Sequence, residues 1–214
     1  IVAAARRAET AGFDVLEIQA GHGTLLSSFI TPLMNHRQDA YGGDLDGRLR
    51  FPLSVVEAVR AAWPGAKPLL VRISAEDWME EAGLASNEAV EIARRLAAAG
   101  ADLIDVSSGE THPDARPVTG RMFQTPLSDR IRNEAGVRTL AVGAITEADQ
   151  ANAILAAGRA DLVALGRPHL LDPAWTLKAA AAAGRREHPT PSVYRAGFDQ
   201  LARQARSAAD GVRA

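Results

Sequence analysis

The sequence predicts an α/β fold, a (β/α)8 TIM barrel of which only about the last five βα units are present. Three observations carry that expectation. One phrase recurs, as E-T-A-G-F-D-V-L-E-I (9–18), A-A-A-G-A-D-L-I-D-V (97–106) and A-A-G-R-A-D-L-V-A-L (156–165), each time a helix end at Gly, an Asp and an apolar strand. Glycine just past a helix supplies the left-handed conformation that ends it, and a short unbroken apolar run suits a parallel strand covered on both faces. Helical patterns separate these runs, which implies a parallel sheet with right-handed crossovers. A doubly wound sheet would satisfy that alternation too. The third observation favours the barrel: the last two strands end in V-G-A-I (142–145) and A-L-G-R-P (164–168), and no strand is followed by G-x-G-x-x-G. Small residues there match the phosphate site usual after strands seven and eight of a barrel, and the missing glycine fingerprint counts against a dinucleotide-binding sheet.

In chain order, a helix is expected over Val2 to Thr10, with strands at about 13–19, 68–74, 102–107, 139–145 and 161–166. Helices fill the gaps. Arg50 to Ala62 places Leu53, Val56 and Val59 on one face, and Ala89 to Ala99 does the same with Val90, Ala93 and Leu96. Pro126 to Asn133 is a shorter helix, and Thr146 to Ala157 opens with Thr146 and Asp149 at capping-box spacing. Residues 1–185 are therefore read as the C-terminal part of a barrel, and residues 186–214, entered through P-T-P (189–191), as a linker and helical tail. The chain starts inside a helix with no initiator Met and no leading strand, so it is read as lacking an N-terminal part. Such a piece exposes two unpaired sheet edges.

Composition excludes several classes of function. At 47% hydrophobic and 23% charged residues, with a net charge of −2, the 214-residue chain reads as globular, with neither nucleic acid nor a membrane surface as partner. No apolar run approaches the roughly 18 residues a bilayer span needs. The absence of cysteine removes disulfides, thiolate metal sites and cysteine nucleophiles, and fits a cytoplasmic location. His36, His112, His169 and His188 show no ligand spacing, so no metal site is expected.

The most specific stretch is Gln19 to Phe51, Q-A-G-H-G-T-L-L-S-S-F-I-T-P-L-M-N-H-R-Q-D-A-Y-G-G-D-L-D-G-R-L-R-F. It leaves the C-terminal end of a strand, where function concentrates in parallel βα folds. Together with V-R-I-S-A (71–75), D-L-I-D-V-S-S-G (102–109), A-V-G-A-I (141–145) and R-A-D-L-V-A-L-G-R-P-H-L-L-D-P (159–173), it resembles the old yellow enzyme family of FMN-dependent NAD(P)H oxidoreductases, from Ala3 to about Gly197. G-R-M-F-Q-T-P (120–126) and R-P-H-L-L-D-P-A-W-T-L (167–177) further resemble one branch, in which the reductase domain is fused behind a flavin hydroxylase acting on salicylyl-CoA or 2-aminobenzoyl-CoA.

The resemblance implies an ene-reductase. FMN would take hydride from NADH or NADPH and pass it to a carbonyl-activated C=C of an enone or an enoyl- or aryl-CoA thioester. Arg72, a cation inside an apolar strand, would stand beside the flavin ring and stabilise its anionic reduced form; an Arg inside the barrel paired with Asp105 is the structural alternative. Gly143, Ala144, Gly166 and Arg167 would hold the phosphate, through backbone N–H groups and one guanidinium. Ser108, in the S-S-G that ends the third strand, would support the cofactor. Gln19 and His22, at the spacing of the family's two carbonyl-binding donors, would polarise the substrate.

Departures from the family matter too. Thr24 stands where the family usually has a proton-donating Tyr, and a hydroxyl of that acidity is a poor general acid. Tyr194-Arg195-Ala196-Gly197 displaces by one an arginine that some relatives send into a neighbouring subunit of a homo-oligomer. The competing expectation is a truncated, non-catalytic barrel module accessory to a fused flavin hydroxylase domain.

Overall fold

A computed structural model describes residues 1–185 and 189–211 of the chain. In order, the first elements are helix α1 (Val2–Thr10), strand β1 (Leu16–Ala20), helices α2 (Leu25–Ile30) and α3 (Leu45–Ala62), and strand β2 (Leu69–Ser74). Then come α4 (Ser86–Ala98), β3 (Leu103–Ser107), α5 (Thr125–Arg130), β4 (Thr139–Ala141), α6 (Ala148–Ala156) and β5 (Leu162–Val163). The strands make one sheet in the order β1-β2-β3-β4-β5, and each neighbouring pair is parallel. Consecutive parallel neighbours joined through helices are the βα repeat read from the sequence.

Two faces of the sheet differ in chemistry. On one, Ile18, Ala20, Leu69, Val71, Ile73, Ile104, Val106 and Ala141 are buried in a core shared with Leu49, Val56 and Val59 of α3 and Ile92 and Leu96 of α4. Each such valine, leucine or isoleucine contributes about 1.5–3 kcal/mol through burial. α3 forms because Asp44 caps it, accepting the Gly47 N–H at 2.9 Å, and because its apolar positions fall on one face. On the other face the alternate strand residues are in register. Gln19, Arg72, Asp105 and Leu140 make one rung, and Glu17, Leu70 and Leu103 the rung below.

The observed elements shift some expected boundaries. β1 starts at Leu16 rather than 13, because Gly12 turns the chain at φ +86° and leaves Phe13 and Val15 exposed. β4 stops at Ala141, since Gly143 (φ +110°) takes the backbone out of the sheet, and β5 keeps two residues. α5 continues as a π-helical turn to Ala135, where Gly136 at φ +70° ends it. The cap of α6 lies one residue later than expected: Gln150 Oε1 accepts the N–H of Thr146 (2.9 Å) and of Glu147 (3.3 Å), its longer side chain reaching back where Asp149 would not.

The chain forms two compact units, dividing after Ala164. The second holds helices α7 (Arg167–Leu171), α8 (Trp175–Ala182) and α9 (Arg195–Gly211). His188 of the expected linker lies outside the described residues. Among the described residues no helix is long and apolar enough to cross a membrane.

Candidate functional site

The C-terminal ends of β1, β2 and β3 carry the polar residues of the inner face. Here β1 runs into a tight turn, Gly21 to Thr24. A Cβ at Gly21 would lie 2.8 Å from the Ser74 nitrogen and 2.9 Å from the Ile73 carbonyl carbon, so only glycine lets the strand end lie against β2. His22 follows in the left-handed region at φ +57°. That conformation is costly for a residue with a Cβ and persists where its surroundings fix it. The fixing contact is its backbone N–H, which donates to Ser74 Oγ at 2.9 Å.

Gln19 stands exposed on the middle rung, register partner of Arg72. Its Oε1 accepts the Gly21 N–H at 3.0 Å, which leaves the amide nitrogen as the donor end. The His22 ring is half-buried, and its Nε2 lies 2.7 Å from Ser107 Oγ. Burial, and then the charge of Arg72, hold its pKa below 6.5, with Glu110 partly opposing them. This favours the uncharged ring, whose Nε2 is engaged with Ser107. Thr24 Oγ donates to Gly21 O at 2.8 Å, so its proton is already engaged inside the turn.

Arg72 does face Asp105, the structural alternative read from the sequence: Nη1 to Oδ2 is 3.2 Å. Its Nη2 also lies 3.4 Å from Ser107 Oγ, which joins Arg72, Ser107 and His22 into one network. Arg72 Nε and Asp105 Oδ1 are buried with no hydrogen-bond partner among the described residues. Ser108 is 7% exposed and donates to Gln124 Oε1 at 2.7 Å, so its hydroxyl braces the strand end from within.

Gln124 was not singled out by sequence reasoning. Ser107 donates to its Oε1 at 3.3 Å, while its Nε2 donates to Val142 O at 3.0 Å, tying the tips of β3 and β4. A Cβ on Gly143 would overlap that amide. Gly143 and Ala144 have successive positive φ of +110° and +50°, a turn from which backbone N–H groups can meet an anion. Gly166 and Arg167 belong to the second unit, where Gly166 is the N-cap of α7 and Arg167, exposed, is its first residue.

Asp77 is a second residue the sequence did not flag. Fully buried, it accepts from Thr31 Oγ, from Leu84 N at 2.8 Å and from Thr111 Oγ at 2.7 Å, and so locks together the connections after β1, β2 and β3. The arginines of the long first connection serve the loop as well: buried Arg48 holds Ile30 O at 2.5 Å and pairs with Glu88, and Arg50 donates to Ala40 O at 2.7 Å. Of the remaining histidines, His169 Nε2 sits 3.0 Å from Thr176 Oγ, and His112 Nδ1 accepts the Asp114 N–H at 3.2 Å. No group of three metal-ligating side chains occurs among the described residues.

Residues 1–186 match the NADH:flavin oxidoreductase / NADH oxidase family. The NADPH dehydrogenase of Geobacillus thermodenitrificans (strain NG80-2) is 48% identical over 180 residues, 84% of this chain and 52% of that protein. Among solved structures, 2-naphthoyl-CoA reductase in complex with 2-naphthoyl-CoA superposes with a TM-score of 0.77 at 27% identity, over 86% of this chain and 28% of its own. Morphinone reductase in complex with tetrahydroNAD gives 0.67 at 28% identity, over 90% of this chain and 50% of its own. The chain spans about half the length of the curated relatives it matches. The five-stranded parallel sheet is thus part of a (β/α)8 barrel, as the sequence predicts.

Proposed function

The chain belongs to the NADH:flavin oxidoreductase / NADH oxidase family, and we propose that its inner strand ends are the flavin and substrate face of an FMN-dependent ene-reductase. The observation that carries this reading is the placement of one cation and two donors together: Gln19 beside Arg72 on the middle rung, and His22 joined to Arg72 through Ser107. The residues present fit FMN. Arg72 keeps a buried Nε with no acceptor among the described residues, and Gly143 and Ala144 turn at positive φ, where backbone N–H groups can meet an anion.

When bound, FMN supplies the hydride chemistry. Arg72 holds fixed positive charge toward it in a site of low dielectric, where charge counts for more than in water. Gln19 Nε2 offers a neutral N–H to a substrate carbonyl, and His22, whose burial favours the uncharged ring, offers a second once Ser107 is displaced. Donors aimed at an oxygen on which charge grows are worth about 10²–10³ in rate each. The backbone of Gly143 and Ala144 would hold the phosphate, and Ser108 keeps the β3 end in place; for Gly166 and Arg167 a phosphate role is proposed from the sequence alone. The name of the relatives supports NADPH as reductant. The 2-naphthoyl-CoA reductase likeness supports a CoA thioester as substrate, in keeping with the hydroxylase-fused branch.

Reconstitution with FMN followed by dialysis tests the reading. Retained flavin absorption, NADPH oxidation coupled to 2-cyclohexenone or an enoyl-CoA, and loss of that turnover in Gln19→Leu with absorption intact are expected. A chain that stays colourless sinks the catalytic reading. It would favour instead an accessory, non-catalytic module, for which the engaged hydroxyl of Thr24 speaks.

A further inference from the structure

The cation of this face rests on a carboxylate with unusual surroundings. Asp105 is the register partner of Arg72, and its side chain is 3% exposed. One oxygen receives a single guanidinium N–H at 3.2 Å, and the other is buried with no donor among the described residues. A buried carboxylate so poorly supplied with donors is unstable as an anion. The charged groups that face it are Arg72 from β2 and Glu17 from β1, while His22, above them, couples to Arg72. On the other side β4 offers Leu140 in register, and neither β4 nor β5 contains an ionisable residue. A buried carboxylate oxygen without a donor, beside a second carboxyl group, favours the protonated acid.

We propose that Asp105 is a positioning residue that sets the charge of the flavin site: it holds a proton beneath Arg72, so that the positive charge of the guanidinium toward the cofactor is not offset. The proposal rests on the assignment of Arg72 to the flavin. Burial first, opposed by Arg72 and reinforced by Glu17, pushes Asp105 up to about 7, so the proton is present in acid and leaves to solvent as the pH rises through neutrality. Its loss places a bare negative charge under Arg72 and disfavours the added negative charge of reduced flavin. The two-electron potential of the bound flavin then falls faster with pH than the flavin's own protons require.

The test is the midpoint potential of bound FMN from about pH 5.5 to about pH 9, for wild type, Asp105→Asn and Glu17→Gln. Wild type shows an extra downward bend near neutrality. Asp105→Asn lacks the bend and lies above wild type on its alkaline side by roughly tenfold in the reduced-to-oxidised ratio, about 30 mV for a two-electron couple. Glu17→Gln, at an exposed position that does not threaten folding, moves the bend to lower pH. A merely structural Asp105 would alter FMN affinity and leave the pH–potential lines parallel, which overturns the proposal. If wild type takes up no FMN, the assignment of Arg72 fails and the proposal with it. If FMN binds and all three lines share one bend, the proposal alone fails.

Discussion

Gln19 Oε1 accepts the backbone N–H of Gly21 at 3.0 Å, and this bond decides which end of the amide can meet a substrate. A backbone N–H needs an acceptor, so the oxygen is fixed in the turn and Nε2 remains as donor. Gln19→Glu keeps the acceptor and replaces the donor by a second carboxylate oxygen. Saturating turnover of an enone by the FMN-loaded protein should fall about 10²–10³-fold, with flavin absorption unchanged. Turnover within threefold of wild type would remove Gln19 from carbonyl binding.

Thr24 occupies the position of a family proton donor, yet its hydroxyl donates to Gly21 O at 2.8 Å. Thr24→Ala should therefore lower stability by about 1 kcal/mol, the worth of one hydrogen bond, as read from urea unfolding. The rate of substrate reduction measured by stopped flow should stay within twofold. A large loss of that rate with unchanged stability would make Thr24 the donor after all.

Gly21→Ala tests the close approach of β1 to β2. A methyl group 2.8 Å from Ser74 N forces the strand ends apart and disturbs both the Gln19 and the His22 anchors. Overpacking of this kind costs about 1–3 kcal/mol, which a shift of the urea midpoint would report. An unchanged midpoint would mean the turn relaxes freely and does not pre-organise the site.

Much of this arrangement was legible in the chain because it depends on local signals. The entries into β1, β3 and β5, a Gly and then an Asp two or three residues on, follow from how helices end, and the order of the strands follows from the rule for parallel crossovers. Arg72 stood out as a cation in an apolar strand, and its pairing with Asp105 was a stated alternative. Gln124 and Asp77 were invisible for the opposite reason. Their partners lie 16 to 18 and 7 to 46 residues away, and no periodicity marks a buried acceptor that collects donors from separate loops. Strand ends misread for the same reason: V-G-A-I looks apolar and extended, but Gly143 at φ +110° turns it out of the sheet to clear Gln124.

Asp105 gives a pH dependence of stability with a defined sign. In the folded chain it keeps its proton up to about 7, whereas an unfolded Asp loses it near 3.9. Between those values the folded state binds more protons than the unfolded, so stability declines as the pH rises. The contribution is fully present below about pH 4 and is lost as the pH passes through about 7. Glu91 and Asp161 act in the opposite direction and only in acid, because their arginine partners hold them below the ordinary carboxylate range. Asparagine at 105 has no proton to lose. Urea midpoints at about pH 5 and about pH 8 should therefore show Asp105→Asn gaining on wild type at the higher pH. An equal gap at both values would show that Asp105 is ionised throughout and that the guanidinium of Arg72 alone compensates its burial.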